Sequence, residues 1–193
     1  MIHALALTNP QAATIIAIVI AAIVLVWAAW TFNRLVRHRN LVDEGFSGID
    51  VQLKRRHNLV PALVETVKGY AAHEKGVLEK VTALRGESAA SLRQTCDSEN
   101  ALTDALKGLF ALAEAYPDLK ADRRFGDLQR QLADIEDQLQ MARRYYNGAV
   151  RDYNIRIESF PGNLIAGAFG FARREFFEID IATERLAPKV EID

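Results

Sequence analysis

The chain has 193 residues, half of them hydrophobic, and a formal net charge of −1 at pH 7. This length suits one modest domain with accessory segments. A charge so close to zero argues against a general nucleic-acid-binding protein. The single cysteine, Cys96, excludes a disulfide within the chain, which agrees with a reducing compartment.

The first long feature is an apolar stretch at residues 12–32, in which only Thr14 and Thr31 are polar. At about 1.5 Å per residue, a helix of this length spans roughly the thickness of a hydrocarbon core. A helix also satisfies every backbone polar group within the segment. We therefore predict a transmembrane helix at 12–32, preceded by a short extracytoplasmic N-terminus at 1–11.

The two ends of this stretch differ in charge. Residues 1–11 contain no Lys or Arg, so the segment does not resemble a cleaved signal peptide. Trp27 and Trp30 lie near the other end, and a basic collar of Arg34, Arg37 and Arg39 follows. Aromatic and basic residues in this order are typical of a membrane interface, and positive residues remain inside. We expect a single-pass protein of the bacterial inner membrane with its C-terminal body in the cytoplasm.

Beyond the span, apolar residues advance by alternating steps of four and three from Val42 to Val81. Only His57 and Glu74 interrupt this stripe, which predicts one helix continuous with the transmembrane segment. Pro61 lies inside the stripe. Proline removes a helical hydrogen bond, so we predict a kink there.

The remainder predicts further helices and no strand. Residues Arg85–Asn100 are polar and aperiodic and are expected to form a connector. A second helix is predicted over Leu102–Tyr116, and a third over Phe125–Phe160. The expected fold is all-α, with an antiparallel bundle of about four helices occupying residues 33–182 and a tail at 183–193.

The third predicted helix repeats one phrase seven residues apart, as Tyr146-Asn147-x-x-Val150 and Tyr153-Asn154-x-x-Ile157. On a helix the aliphatic residues form the centre of a seam, with tyrosines on one flank and asparagines on the other. Half-buried amides destabilise unless paired, and they penalise shifted registers. We interpret the repeat as a register-fixing packing seam, and a ligand-binding polar ladder is the alternative. If the amides are poorly paired, replacing both asparagines by Leu should maintain or raise stability.

An apolar segment follows the third predicted helix. It contains Phe160, Leu164, Ile165, Phe169 and Phe171 with little charge. One interpretation is a short helix that closes one end of the bundle. The alternative is a wedge that inserts among lipid headgroups or docks on another subunit.

Lys54–His57 form a second basic run. The simpler interpretation is a solvated helix face, with Asp50 and Lys54 paired at i,i+4. The alternative is contact with an anionic lipid surface or an acidic partner.

No pattern indicates catalysis. His73 begins a phrase like the zinc motif H-E-x-x-H, but Val77 stands where the second histidine is required. There is no glycine-rich phosphate loop, no nucleophile elbow and no Glu-x-x-His pair for a metal site in a helical bundle. We expect a protein that is not an enzyme and that has no cofactor and no metal.

Three blocks resemble the LemA family of bacterial membrane proteins: Ile49–Glu74, Ala115–Ala121 and Tyr146–Phe171. The resemblance implies an N-terminal transmembrane helix and an antiparallel helical bundle, and it brings no catalytic residue. The family often has Trp where this chain has Phe46, and Tyr where it has His57.

The resemblance also suggests functions. A related branch that includes a magnetosome protein is linked to membrane remodelling, and some members are encoded beside a membrane-bound zinc metalloprotease. We expect a non-enzymatic scaffold that binds the lipid bilayer, self-associates as a homo-oligomer or organises partners, and can remodel membranes. The alternatives are an adaptor for a membrane metalloprotease in quality control and, less favoured, a ligand sensor.

Overall fold

The computed structural model describes residues 10–84 and 91–178, and every regular element in these ranges is a helix. In chain order the helices are α1 (Pro10–Tyr70), α2 (Lys75–Leu84), α3 (Leu92–Glu114), α4 (Pro117–Lys120), α5 (Arg123–Glu158) and α6 (Gly162–Ala168). The predicted all-α class is confirmed. The predicted tail at 183–193 and all but the last two residues of the predicted N-terminus lie outside the described residues.

The predicted transmembrane segment is part of α1. Of the described helices, α1 alone is long and apolar enough to cross a membrane, and its most apolar stretch buries none of its side chains within the protein. Exposed aliphatic side chains of this kind are favoured in lipid rather than in water. Pro61 lies within α1, which continues to Tyr70, and the kink at Pro61 remains a prediction.

The prediction of one helix from Val42 to Val81 is wrong. α1 ends at Tyr70, and residues 71–74 form a turn in which the Glu74 N–H donates to the Ala71 carbonyl at 3.1 Å. Residues from both sides of this turn enter one core, which a straight helix would distribute over roughly 30 Å. The turn therefore allows the second half of the stripe to pack with the first.

The predicted connector at Arg85–Asn100 is also wrong in part. Residues 85–90 lie outside the described residues, but α3 begins at Leu92. The Ser91 hydroxyl caps it by accepting a hydrogen bond from the Gln94 N–H at 3.3 Å. The polar composition concealed the buried side of α3, because one buried position there is occupied by a glutamate.

The third predicted helix extends two residues too far. α5 ends at Glu158, and Phe160 lies beyond it with 79% of its surface exposed. Pro161 follows directly, and a residue before proline is disfavoured in the helical conformation. Phe160 therefore does not belong to the core.

The described chain divides into two compact units. The collar unit comprises residues 10–44 and 148–174, and the core unit comprises residues 45–84, 91–147 and 175–178. The buried apolar residues of the collar unit include Leu35, Val42, Val150, Tyr153, Ile157 and Ala166.

The core unit has a hydrophobic core formed by five helices. Its members include Val60, Leu63 and Val67 of α1, Leu78 and Val81 of α2, Leu102, Leu106 and Leu109 of α3, Leu119 of α4, and Phe125, Leu128 and Leu132 of α5. Gly45 permits a close approach between α1 and α5 in this unit. A Cβ atom at Gly45 would lie 3.0 Å from the Tyr146 Cα, closer than side-chain carbons normally come.

Candidate membrane-interface site

The collar that follows the predicted span is built from cations stacked on aromatic rings. The Arg34 guanidinium lies 5.1 Å from the centroid of the Trp30 ring, and the Arg39 guanidinium lies 5.5 Å from that of Phe171. Trp30 and Arg37 are exposed, whereas Trp27 is half-buried. Cation–π contacts hold the guanidinium groups beside the rings while leaving their N–H groups available.

The segment after α5 lies against the end of the predicted span within the collar unit. The ring centroid of Phe32, the last residue of the span, is 4.9 Å from that of Phe169 and 5.7 Å from that of Phe171. Ala166 of α6 is buried. These contacts bring the apolar segment to the level at which the predicted span ends.

The five apolar side chains named for this segment face two ways. Ile165 and Phe171 are half-buried. Phe160, Leu164 and Phe169 have 79%, 59% and 63% of their surfaces exposed, and we call these three residues the exposed patch. Large apolar side chains that remain exposed within ten residues of the chain are candidates for a contact surface.

Asn154, in the second copy of the repeated phrase, forms hydrogen bonds with the backbone of the same chain. Its side chain is buried in the collar unit, where its amide N–H donates to the Arg174 carbonyl at 2.9 Å. The Arg174 N–H donates in return to the Asn154 Oδ1 at 3.0 Å. The side chain of Arg174 pairs with Asp43 at 3.1 Å. One amide therefore satisfies both backbone groups of a residue in the irregular segment that follows α6.

Asn147 forms the same pair of bonds in the core unit. Its amide donates to the Phe177 carbonyl at 3.1 Å and its Oδ1 accepts from the Phe177 N–H at 2.9 Å. The Tyr146 hydroxyl donates to the Glu175 carbonyl at 2.9 Å. Phe177 is buried, with the Arg143 guanidinium 5.4 Å from its ring.

These bonds change the expected effect of replacing the asparagines. Val150, Tyr153 and Ile157 are buried, as a packing seam requires. The amides, however, are paired with backbone groups of the chain itself, so the condition of poor pairing is not met. Leucine at Asn147 or Asn154 would therefore leave backbone groups unsatisfied.

The collar unit carries an excess of positive charge among its described residues. Its seven arginines are Arg34, Arg37, Arg39, Arg151, Arg156, Arg173 and Arg174, and its four carboxylates are Asp43, Glu44, Asp152 and Glu158. The ion pairs are Arg174–Asp43 at 3.1 Å, Arg173–Glu158 at 2.9 Å and Arg151–Asp152 at 3.6 Å. Three of the four carboxylates are thus engaged by arginines outside the sequence-predicted collar.

The excess of positive charge affects the pKa of His38. Burial lowers the pKa of its imidazole, and the charges of Arg156, Arg34 and Arg37 lower it further. Asp152 acts in the opposite direction but does not outweigh these effects. Arg156, which sequence reasoning did not select, therefore lies near the collar.

The core unit contains a buried ionic cluster that sequence reasoning missed. Arg56 is only 1% exposed, and its guanidinium bonds to Glu99 Oε2 at 3.2 Å and to the Thr103 hydroxyl at 2.7 Å. Its Nε lies 2.9 Å from Glu136 Oε1, as an ion pair without hydrogen-bond geometry. His57 Nε2 lies 2.7 Å from Glu99 Oε1.

The residues of the basic run Lys54–His57 therefore do not form a single exposed surface. The predicted pair of Lys54 with Asp50 is confirmed at 2.7 Å. Arg56, in contrast, is buried within the protein and is not available to lipid or to an acidic partner. Burial of Ile49, Leu53, Val60 and Leu63 at spacings of three and four placed Arg56 on the buried face, and this spacing was a usable signal.

The cluster is arranged to stabilise the fold. Its buried guanidinium and carboxylate are bonded to each other, so neither is directed toward an open site. Cys96 is buried nearby in the same unit, and burial raises the pKa of its thiol. In residues 10–84 and 91–178, no three His, Cys, Asp or Glu side chains are grouped to hold a metal ion.

A family model described as the LemA family matches residues 45–192. The chain belongs to the LemA family. Magnetosome protein MamQ 2 of Paramagnetospirillum magneticum is 26% identical, over 68% of this chain and 59% of the relative. Protein LemA of Metamycoplasma hominis is 26% identical, over 80% and 74%. Magnetosome protein MamQ of Magnetospirillum gryphiswaldense is 24% identical, over 68% and 58%.

The chain spans less than two thirds of the length of the magnetosome relatives. Its LemA-family membership and the exposed apolar stretch of α1 together indicate a membrane-associated helical protein. At Phe46 and His57, where this sequence departs from the family's usual residues, each side chain makes a contact in the structure. The Phe46 ring lies 6.0 Å from that of Tyr146, and His57 pairs with Glu99.

Proposed function

We propose that this LemA-family chain is a non-catalytic, membrane-tethered helical scaffold whose exposed patch inserts among lipid headgroups. The observation that carries the proposal is the exposure of Phe160, Leu164 and Phe169 in the unit that contains the predicted span. The ring contact between Phe169 and Phe32 supports the proposal, because it joins one member of the exposed patch to the last residue of that span. A protein anchored in a bilayer by this span would then have the exposed Phe169 ring near headgroup depth.

The energetics favour lipid over water for these side chains. Full burial of a side chain of this size stabilises by about 1.5–3 kcal/mol. The span already tethers the patch, so insertion does not require the whole protein to bind from solution. Shallow insertion from many copies adds area to one leaflet, which bends the membrane.

Self-association is the second part of the proposal. The helices after the span form an antiparallel bundle that contacts further copies, so that wedges act together. Isolated wedges would change curvature little, whereas an assembly would concentrate them. The proposal expects detergent-purified protein to be larger than a monomer in size-exclusion chromatography with light scattering, and a monomer there would contradict this part.

The proposed orientation places the collar and the body in the cytoplasm. The collar arginines Arg34, Arg37 and Arg39 follow the span, and positive residues are retained on the cytoplasmic side. A reporter that is active only outside the cytoplasm, fused after Asp193, should be silent. Strong reporter activity would contradict the orientation.

The decisive test compares vesicles that contain full-length protein. Wild type should produce tubules or smaller vesicles, measured by electron cryomicroscopy and light scattering. A variant with Ser at Phe160, Leu164 and Phe169 should leave vesicle size unchanged while retaining its helical content. The matched control is Phe176→Ser, which changes an exposed phenylalanine of the core unit.

Two results would contradict the proposal. Equal deformation by the patch variant would show that the patch is not the wedge. No deformation by wild type, together with co-purification of a membrane peptidase, would favour the adaptor function.

A further inference from the structure

A group of cations from two helices converges around His38 in the collar unit. Arg34 lies three residues before Arg37 and four before His38 on α1, so its side chain is a neighbour of both on the surface of that helix. Arg156 belongs to α5, and its charge acts on His38 more strongly than that of any α1 arginine. Arginines of both helices therefore act on the same histidine.

Asp152 is the carboxylate whose charge opposes these cations at His38, and it is paired with Arg151 at 3.6 Å. None of Arg34, Arg37 and Arg156 forms an ion pair within the described part of the protein, since the carboxylates Asp43, Asp152 and Glu158 are paired with other arginines. The Nε atom of Arg156 is buried and has no hydrogen-bond partner. Cations held together in this way repel one another, and an unsatisfied buried donor is destabilising. Both features indicate a site for an anion.

We propose that Arg34, Arg37 and Arg156 bind the phosphate of an anionic phospholipid. The guanidinium fork matches phosphate oxygens in a bidentate geometry. Arg34 lies on the Trp30 ring, and Phe32 and Phe169 pack together at the end of the predicted span. These apolar rings suit the glycerol and upper acyl chain of a lipid better than a phosphate free in water. The inference rests on the proposed membrane placement, and it adds the identity of the lipid.

Trp27 and Trp30, the two tryptophans of the chain, provide a built-in probe. Full-length protein is reconstituted in vesicles that mix phosphatidylcholine and phosphatidylglycerol. In parallel samples of equal composition, one or the other lipid carries bromine on a shallow acyl carbon, which quenches nearby tryptophan. The ratio of quenching by the two lipids gives the preference for the anionic lipid.

Wild type should be quenched more strongly by brominated phosphatidylglycerol than by brominated phosphatidylcholine. Arg156→Gln should reduce this preference by about fivefold, the value expected for one arginine at an anionic surface. Arg156→Lys should retain most of it. The matched control is Arg151→Gln on the same helix, because Arg151 is exposed and paired with Asp152. The control should retain the wild-type preference.

The outcomes separate this inference from the proposed function. Equal quenching by both lipids, with or without Arg156, would overturn the lipid site and leave the membrane placement intact. Quenching by neither lipid would overturn the membrane placement itself, and the lipid site with it. Circular dichroism of Arg156→Gln checks that the variant retains its helices.

A further arm distinguishes lipid from free phosphate. Excess inorganic phosphate should weaken the preference no more than sodium chloride of equal ionic strength. If phosphate abolishes the preference and chloride does not, the site binds free phosphate and the lipid assignment is wrong. Loss of the preference in chloride as well would reveal only diffuse surface charge, and it would also overturn the site.

Discussion

Arg56 of the core unit and three arginines of the collar unit differ in whether a carboxylate pairs with them. In the core unit, Arg56 is enclosed and bonded to Glu99 and Thr103, with Glu136 beside it. In the collar unit, Arg34, Arg37 and Arg156 converge without a carboxylate partner among the described residues. A buried cation whose partners lie in the same unit stabilises the fold. Cations assembled without such partners are available for a ligand from outside.

The largest expected effect on stability comes from removing Arg56 from its buried ion pair with Glu99. Arg56→Met should destabilise the protein by about 3–5 kcal/mol, because it leaves buried Glu99 without its guanidinium partner. Chemical denaturation followed by circular dichroism measures the change. Arg55→Met is the control, since Arg55 is an exposed neighbour that bonds only to Gln52.

A double variant sharpens this test. Arg56→Met combined with Glu99→Met removes both charges, and it should recover part of the lost stability. If the single variant is as stable as wild type, the ionic cluster does not stabilise the core unit.

The Asn154 bonds predict the next largest effect. Asn154→Leu should lower the free energy of unfolding by about 1–3 kcal/mol, because the Arg174 N–H and carbonyl lose their partner in a buried site. Asn58→Leu, at an exposed position on α1, is the control and should change stability little. Stability equal to wild type in Asn154→Leu would restore the interpretation of a purely register-fixing amide.

A smaller effect concerns pH in the collar unit. The pKa of His38 is lowered by burial and by nearby arginines, so the unfolded chain binds the proton more readily than the folded one. Stability should therefore decline as pH falls below about 6.5, the usual histidine value, and this loss is absent above it. His38→Gln should reduce the decline between about pH 7 and pH 5.5, measured by thermal melts in neutral detergent.

His73→Gln controls for the loss of an imidazole, because His73 is exposed in the core unit. An identical pH dependence for wild type and His38→Gln would show that the neighbouring cations do not act on His38.

The smallest expected effect on stability comes from replacing Arg156, which has no ion-pair partner among the described residues. Arg156→Met should change stability in neutral detergent by no more than about 0.5 kcal/mol, since no carboxylate loses a partner. A loss as large as that from Arg56→Met would mean that Arg156 has a structural partner, and the contrast between the units would fail.

Much of the fold was accessible from the sequence, because helical spacing of apolar residues is a strong local signal. The apolar stretch at 12–32 and most of the helix that became α5 follow from hydropathy and periodicity. The turn at residues 71–74 did not, because the stripe continues through it and only tertiary packing separates its halves.

The buried ionic cluster was missed for a related reason. Arg56 and Glu99 occupy positions on buried helix faces. Arg56 was interpreted as part of a solvated face, because charged residues are usually exposed, and Glu99 was assigned to a polar connector. Their pairing joins residues 43 positions apart, which no local pattern reveals. The position of Arg156 near the collar is likewise a consequence of folding.

The repeated phrase was recognised in the sequence, but the backbone groups that its asparagines bond were not. Asn147 and Asn154 are seven apart, and the residues they bond, Phe177 and Arg174, are three apart. Both partners lie twenty or more residues beyond the asparagines that they bond, so no local pattern predicts these bonds.

The most direct test of the contrast between the two units is thermal stability in nanodiscs of phosphatidylglycerol against phosphatidylcholine. A ligand that binds only the folded state raises its stability. Wild type should melt at a higher temperature in the anionic lipid, and Arg156→Gln should lose that increment. Arg56→Met should melt lower in both lipids and retain the increment. The opposite result, with the increment kept in Arg156→Gln and lost in Arg56→Met, would contradict the account.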